Sequence, residues 1–235
     1  MNCNSKVIKA VINKEFTDFF NNMIIHSIIF IVSANIMQLM SIYQLVNLNL
    51  PLADTRVQAG NLVMYLVMMV MVMMGQDLCF HYYQNERKDK IINILLAMGM
   101  NKVDLWIGKN IVIFIVSYIT TVLSIILNFI LIRVIFQFWI MVTPLQCILA
   151  LVTMPILCMG FLLIISLTYW CFKKNSVVSI LLPMITFLTI WNLSLKLVKK
   201  YPNYYLILIS LAIGIILSAL SIGLLKRIPK ENIVK

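Results

Sequence analysis

Charge is what this sequence has least of: only eight of its 235 residues are acidic and two are histidine. With so few carboxylates and imidazoles, no His, Glu or Asp cluster sits within an apolar run at catalytic spacing, and membrane enzymology has no support. The five cysteines, Cys3, Cys79, Cys147, Cys158 and Cys171, show no CxxC spacing. That excludes a thiolate metal motif or a disulfide frame and leaves small packing residues. A phosphate-binding GxxxxGK[ST] loop is also missing. Gly108-Lys109 is followed by Asn110, and Val103 stands where the first glycine would be.

What is present is hydrocarbon. Hydrophobic residues make up 62% of the chain and the mean hydropathy is +0.99, outside the usage of soluble domains. The expected class is an all-α polytopic membrane protein, because a lone strand cannot satisfy its backbone in lipid. One crossing takes about twenty helical residues. Six apolar runs qualify, at 23–44, 59–80, 105–132, 145–171, 177–195 and 204–225. The predicted organisation is an interfacial segment over 1–22, a six-span domain over 23–225 with a cytoplasmic loop at 81–104, and a cytoplasmic tail over 226–235.

The net charge of +11 comes from short basic clusters between apolar runs. There, topology and lipid headgroups account for it and nucleic acid is not expected. With the N-terminus cytoplasmic, the inner side holds fourteen of the 19 Lys and Arg, in clusters at Lys6 to Lys14, Arg87 to Lys109, Lys173-Lys174 and Lys226 to Lys235. Arg56, Arg133, Lys196, Lys199 and Lys200 lie outside. That bias predicts both termini inside a multi-pass plasma-membrane protein. The three outer lysines after the fifth run leave a five-span arrangement open. Glu15 and Asp18 interrupt what would be the apolar core of a cleaved signal, so the first residues are expected to be retained. Ile8, Ile12, Phe16, Phe19 and Phe20 share a helical stripe, and Lys14 with Asp18 makes an i to i+4 pair. This suits a helix along the inner membrane surface; an ordinary basic flank is the alternative.

The island HYYQNERKDKIINILLAMGMNKVDLWIGK, residues 81–109, shows the most internal order. Glu86, Arg87 and Lys90 close the second run. Ile91, Ile94, Leu95 and Met98 then recur on one helical face. Gly99 suits the end of that short helix, and Asn101 with Asp104 suits the cap of the next. A polar linker alone would not require an apolar face, so the element reads as a docking surface.

In this layout the chain resembles the membrane subunits of ABC exporters of the second type. The matching residues are Glu86-Arg87, the short helix Ile91 to Met98, and the pair Gly108-Lys109 before the third span. A threonine and a proline often seen in and after that helix are replaced here by Ile92 or Asn93 and by Gly99. The resemblance implies half of a translocation path in this chain, paired with a second permease chain, homomeric or related. It also implies two cytoplasmic ATPase subunits docking at Glu86, Arg87, Lys90, Ile91, Ile94, Leu95, Met98, Gly108 and Lys109. ATP and Mg would belong to those partners, with no cofactor in this chain. Cargo by the same analogy is an antimicrobial peptide, a hydrophobic drug or a lipid-like molecule, and the Ile, Asn, Lys and Met usage suggests a low-GC bacterium.

Polar residues inside the runs are candidates for the path: Ser33, Asn35, Gln38, Asp77 and Asn192. Beside them, Gln76 and His26 can be interfacial. Two other readings stay open, a secondary transporter driven by an ion gradient and a non-transporting sensor or scaffold. The methionine-rich run Val63 to Gly75 reads first as a lipid-facing surface. Pro155 and Pro183 are expected to bend or break their spans. The small-residue spacing Ser210, Gly214, Ser218 invites close approach of another helix, in this chain or a partner.

Overall fold

The first apolar run occupies the second half of a much longer helix. A computed structural model describes residues 5–48, 51–86, 89–171 and 203–228. Helix α1 (Ser5–Asp18) passes through a π turn at Phe19–Met23 into α2 (Ile24–Val46). Then come α3 (Leu52–Cys79), a second π turn (Phe80–Asn85) and the short α4 (Ile91–Ala97). After them follow α5 (Lys102–Phe136), α6 (Pro144–Ile148), a third π turn (Leu149–Thr153), α7 (Met154–Cys171) and α8 (Asn203–Arg227). No strand occurs among the described residues.

Among the described residues, four helices are long and apolar enough to cross a membrane: Ser5–Val46, Lys102–Phe136, Pro144–Trp170 and Ile207–Arg227. The run at 59–80 falls within α3. The run at 177–195, with Asn192 and Pro183, lies outside the described residues, as do Arg87, Lys88, Lys173, Lys174 and positions 229–235. At about 1.5 Å per residue the first helix is about 60 Å long, roughly twice a hydrocarbon core. Its charged first half, with Lys9, Lys14, Glu15 and Asp18, is the half that has to lie outside.

Local chemistry explains the ends. Thr143 and Gln146 form a reciprocal capping box around Pro144 at the first turn of α6. The Asn101 side chain accepts from the Val103 N–H at the start of α5. Gly99, at φ +86, closes α4 with Gly99 N–H to Leu96 O and Met100 N–H to Leu95 O. That pair of bonds requires a left-handed residue, which glycine adopts without strain.

Pro155, expected from sequence to bend or break its span, sits just after the π turn in a helix that runs on through it. Its missing N–H frees the carbonyl of Leu151, and the Tyr118 hydroxyl of α5 donates to that oxygen at 3.1 Å. The methionine-rich run also differs from its first reading: Val70, Met71, Val72 and Met74 are buried. Helix α3 packs against α2, α5 and α7 at once, so these flexible side chains fill the centre of the bundle. Outward apolar faces belong to other helices, with Ile25, Ile29 and Ile36 on α2, Leu123 and Ile130 on α5, and Leu208 and Ile215 on α8.

The small-residue spacing of α8 is answered inside the chain. A Cβ on Gly214 would lie 2.8 Å from the carbonyl oxygen of Ile156, and one on Gly160 would lie 2.8 Å from that of Gly214. Backbone is in the way, so the two helices cross where only glycine fits. Gly214→Ala is expected to lower stability by about 2 kcal/mol through forced separation of α7 and α8. Gly223→Ala, which opens on empty space, should leave the thermal melt of the detergent-solubilised protein unchanged. Circular dichroism of both variants checks this.

Candidate functional site

A lysine with no exposed surface stands where α1, the end of α3 and the start of α5 meet. Lys109 Nζ donates to Glu15 Oε1 at 2.6 Å and to Glu86 Oε2 at 2.7 Å, and both Lys109 and Glu15 are fully buried. Lys14 closes the group, donating to Glu15 at 3.1 Å and to Glu86. Two ammoniums and two carboxylates make a cluster with no formal net charge, the condition for burying ions at tolerable cost. The Tyr82 and Tyr83 rings lie under the Lys109 ammonium at 5.4 and 5.9 Å, adding cation–π attraction.

The residues beside Lys109 explain how α1 comes so close. Gly108 faces Val11, and a Cβ there would lie 2.8 Å from Val11 Cγ1. Tyr82 donates its hydroxyl to the Glu15 carbonyl at 2.9 Å. Burial, with Glu15 and Asp18 nearby, pushes that phenol far above its ordinary range, so it stays a neutral donor. Asn110 bridges the Tyr83 hydroxyl (2.7 Å) and the Trp106 carbonyl (2.8 Å), and the Trp106 indole donates to Ser166 of α7 at 3.1 Å. Lys102 donates to the Ile228 carbonyl just beyond α8. Five separate stretches of chain are thus tied together at one end of the bundle.

Both histidines of the chain join the same seam. His81 Nε2 meets Asp18 at 2.8 Å and His26 Nδ1 meets Asp77 at 2.9 Å. With Lys14 to Glu86, these pairs form successive rungs between the first long helix and the antiparallel α3. Lys14 and Asp18 therefore do not pair with each other as their spacing suggested; each takes a partner across the seam.

On this frame α4 is held from beneath. Ile92 and Leu96 are buried, Ile91 and Leu95 half-buried, while Ile94 and Met98 are exposed. Of the residues read as one docking face, Ile94 and Met98 point outward. Lys90, exposed and at φ +59, begins the helix. Glu86 and Lys109 belong to the buried charge node, and Gly108 packs on Val11 beside it. Arg87 is outside the described residues.

The path candidates separate. Asn35 donates to Ser124 of α5 at 2.8 Å, and Gln38 is buried one turn further on. They face a polar stripe on α5 formed by Ser117, Thr120, Thr121, Ser124 and Asn128, all buried. Among the described residues, Asn35 Oδ1, Gln38 Nε2, Ser117 Oγ and both amide atoms of Asn128 in this seam have no hydrogen-bond partner. The i, i+3, i+4, i+7, i+11 spacing of the stripe is readable in the sequence once α5 is known to be amphipathic in reverse, polar side inward. Ser33 lies on the exposed side of α2, bonded to its own Phe30 carbonyl, and Asp77 belongs to the histidine seam. Glu15 was visible only as an interruption of an apolar stripe. Among the described residues no group of three His, Cys, Asp or Glu side chains could hold a metal ion.

Replacing Lys109 by Met would leave the buried carboxylates of Glu15 and Glu86 sharing the single Lys14 ammonium and is expected to destabilise the protein by about 3 kcal/mol. Adding Glu15→Gln to Lys109→Met should restore part of that loss, where unrelated sites would give additive losses. Chemical denaturation of the single and double variants in mild detergent measures the difference. Compared with known proteins, the chain matches no protein-family model, no curated protein and no solved structure.

Proposed function

We propose that this chain is the membrane subunit of an ATP-driven exporter of the second ABC type. In this reading it has six spans, an interfacial N-terminal helix and both ends in the cytoplasm of a bacterial cell. The observation that carries the reading is the mounting of α4: a short helix whose Ile92 and Leu96 are buried in the hydrophobic cluster that also holds Tyr82, Tyr83, Val103 and Trp106, with Ile94 and Met98 projecting outward. A braced helix transmits a push, whereas a loose linker would absorb it. Two soluble ATPase subunits bind α4 from the cytoplasm, and their closure displaces α5 through the Lys109 node. A second permease chain completes the path. The cargo class is peptide, hydrophobic drug or lipid-like molecule.

Affinity purification of the full chain in mild detergent is expected to bring down a nucleotide-hydrolysing subunit of about 25 to 35 kDa, the size of one or two soluble domains. Ile94→Asp should abolish that association while membrane insertion and the melting temperature stay unchanged, since Ile94 is exposed. Transport at full rate with no such companion, or labelling of Ile94 from the outer face, would end this reading.

A further inference from the structure

A cavity of about 300 Å³ opens between the early turns of α2, the last turns of α3 and the end of α7, lined by Phe30, Met73, Gln76, Asp77, Phe80 and Tyr169. Among the described residues its walls are aromatic and thioether, Asp77 is the one carboxylate, and no Lys or Arg lines it. The Phe80 and Tyr169 rings meet edge to face with centroids 5.9 Å apart, and the Gln76 amide lies beside the Tyr169 phenol. Asp77 is about one-quarter exposed, and its Oδ2 is held by His26, which is half-exposed. Among the described residues, no hydrogen bond is made to the other oxygen of the carboxylate.

We infer that this cavity binds a lipophilic organic cation. An anion would lie against the Asp77 carboxylate with no Lys or Arg among the described lining residues to receive it. A neutral apolar molecule would strip water from a carboxylate without replacing it. A cation with apolar arms satisfies both halves of the site: its charge sits against Asp77 and the faces of the aromatic rings, and its arms cover Met73 and Phe30. The place suits entry from the bilayer. Asp77 and His26 stand at the same end of their helices as the Lys109 node, so a ligand partitioned into that leaflet reaches the cavity sideways. As a binding site the cavity stands alone; as the loading point for cargo it rests on the export reading.

The probe is radiolabelled tetraphenylphosphonium, with equilibrium dialysis against the full chain in phosphatidylglycerol nanodiscs and empty discs as background. The wild-type chain is expected to bind it saturably. Asp77→Asn should weaken binding about tenfold, the order expected when a charged partner is lost. Phe80→Leu, which keeps apolar bulk on a partly exposed side chain and so keeps the fold, should weaken it about fivefold. Triphenylphosphine oxide and tetraphenylborate should not compete. Adding phosphatidylethanolamine to the discs identifies the source of the cation: competition assigns the site to a lipid headgroup amine, and no competition to a free cation. Binding no greater than in empty discs, equal binding by both variants, or displacement by tetraphenylborate overturns the assignment. The measurement needs neither nucleotide nor partner, so its failure is separate from failure to find an ATPase.

Discussion

Everything at the α4 end of this protein depends on one ammonium group kept dry. Lys109 is deep enough that water cannot help it, so its charge is tolerable only while Glu15 and Glu86 are in place. Those three residues come from positions far apart in the chain. Their meeting therefore imposes the position of α1 across the start of α5 and of the α3 terminus beside both. Gly108 allows the approach and the tyrosines beneath Lys109 shape it. The short helix α4, only seven residues long, would be marginal by itself; its Ile92 and Leu96 are anchored in the hydrophobic cluster that holds Tyr82, Tyr83 and Trp106.

The bundle is organised in the sense opposite to a soluble protein. Polar side chains such as Asn35, Ser124 and Asn128 face one another inside, and the branched apolar residues of α2, α5 and α8 face out. In lipid the hydrophobic effect does not hold helices together, so close packing and internal hydrogen bonds must do so. The glycine crossing of α7 with α8 and the Asn35 to Ser124 bond are examples of each. The same logic makes unpartnered polar atoms in the α2–α5 seam informative: groups without partners in a closed bundle are those that a moving bundle could present to water or to a ligand.

Much of the architecture was legible because bilayer helices must be long and apolar, and composition records both. The runs at 23–44, 105–132, 145–171 and 204–225 correspond to helices, and the caps at Gly99 and Asn101 were readable because each relies on bonds within a few residues. Pro155 was expected to bend or break its span; a π turn stands just before it and the helix runs on, and whether a freed carbonyl finds a donor depends on a neighbour, here Tyr118, that no local rule identifies. The methionine run was likewise assigned outward, since side-chain type does not say which helix becomes central. In the docking element, periodicity identified a helix with an apolar face but not which of its residues would be used up in packing.

The chain by itself determined its class, its helical content, the sites of its turns and the existence of a charged island, because these follow from short-range chemistry and from the cost of polar backbone in hydrocarbon. Tertiary structure alone decided that Glu15 joins Lys109 and Glu86, that both histidines find aspartates across one seam, and that Asp77 lines an aromatic cavity. Each of those outcomes pairs residues separated by more than twenty positions. Pairing at that range is settled by which helix faces meet, and packing density and charge neutrality choose among the possible faces only when all the helices are present together.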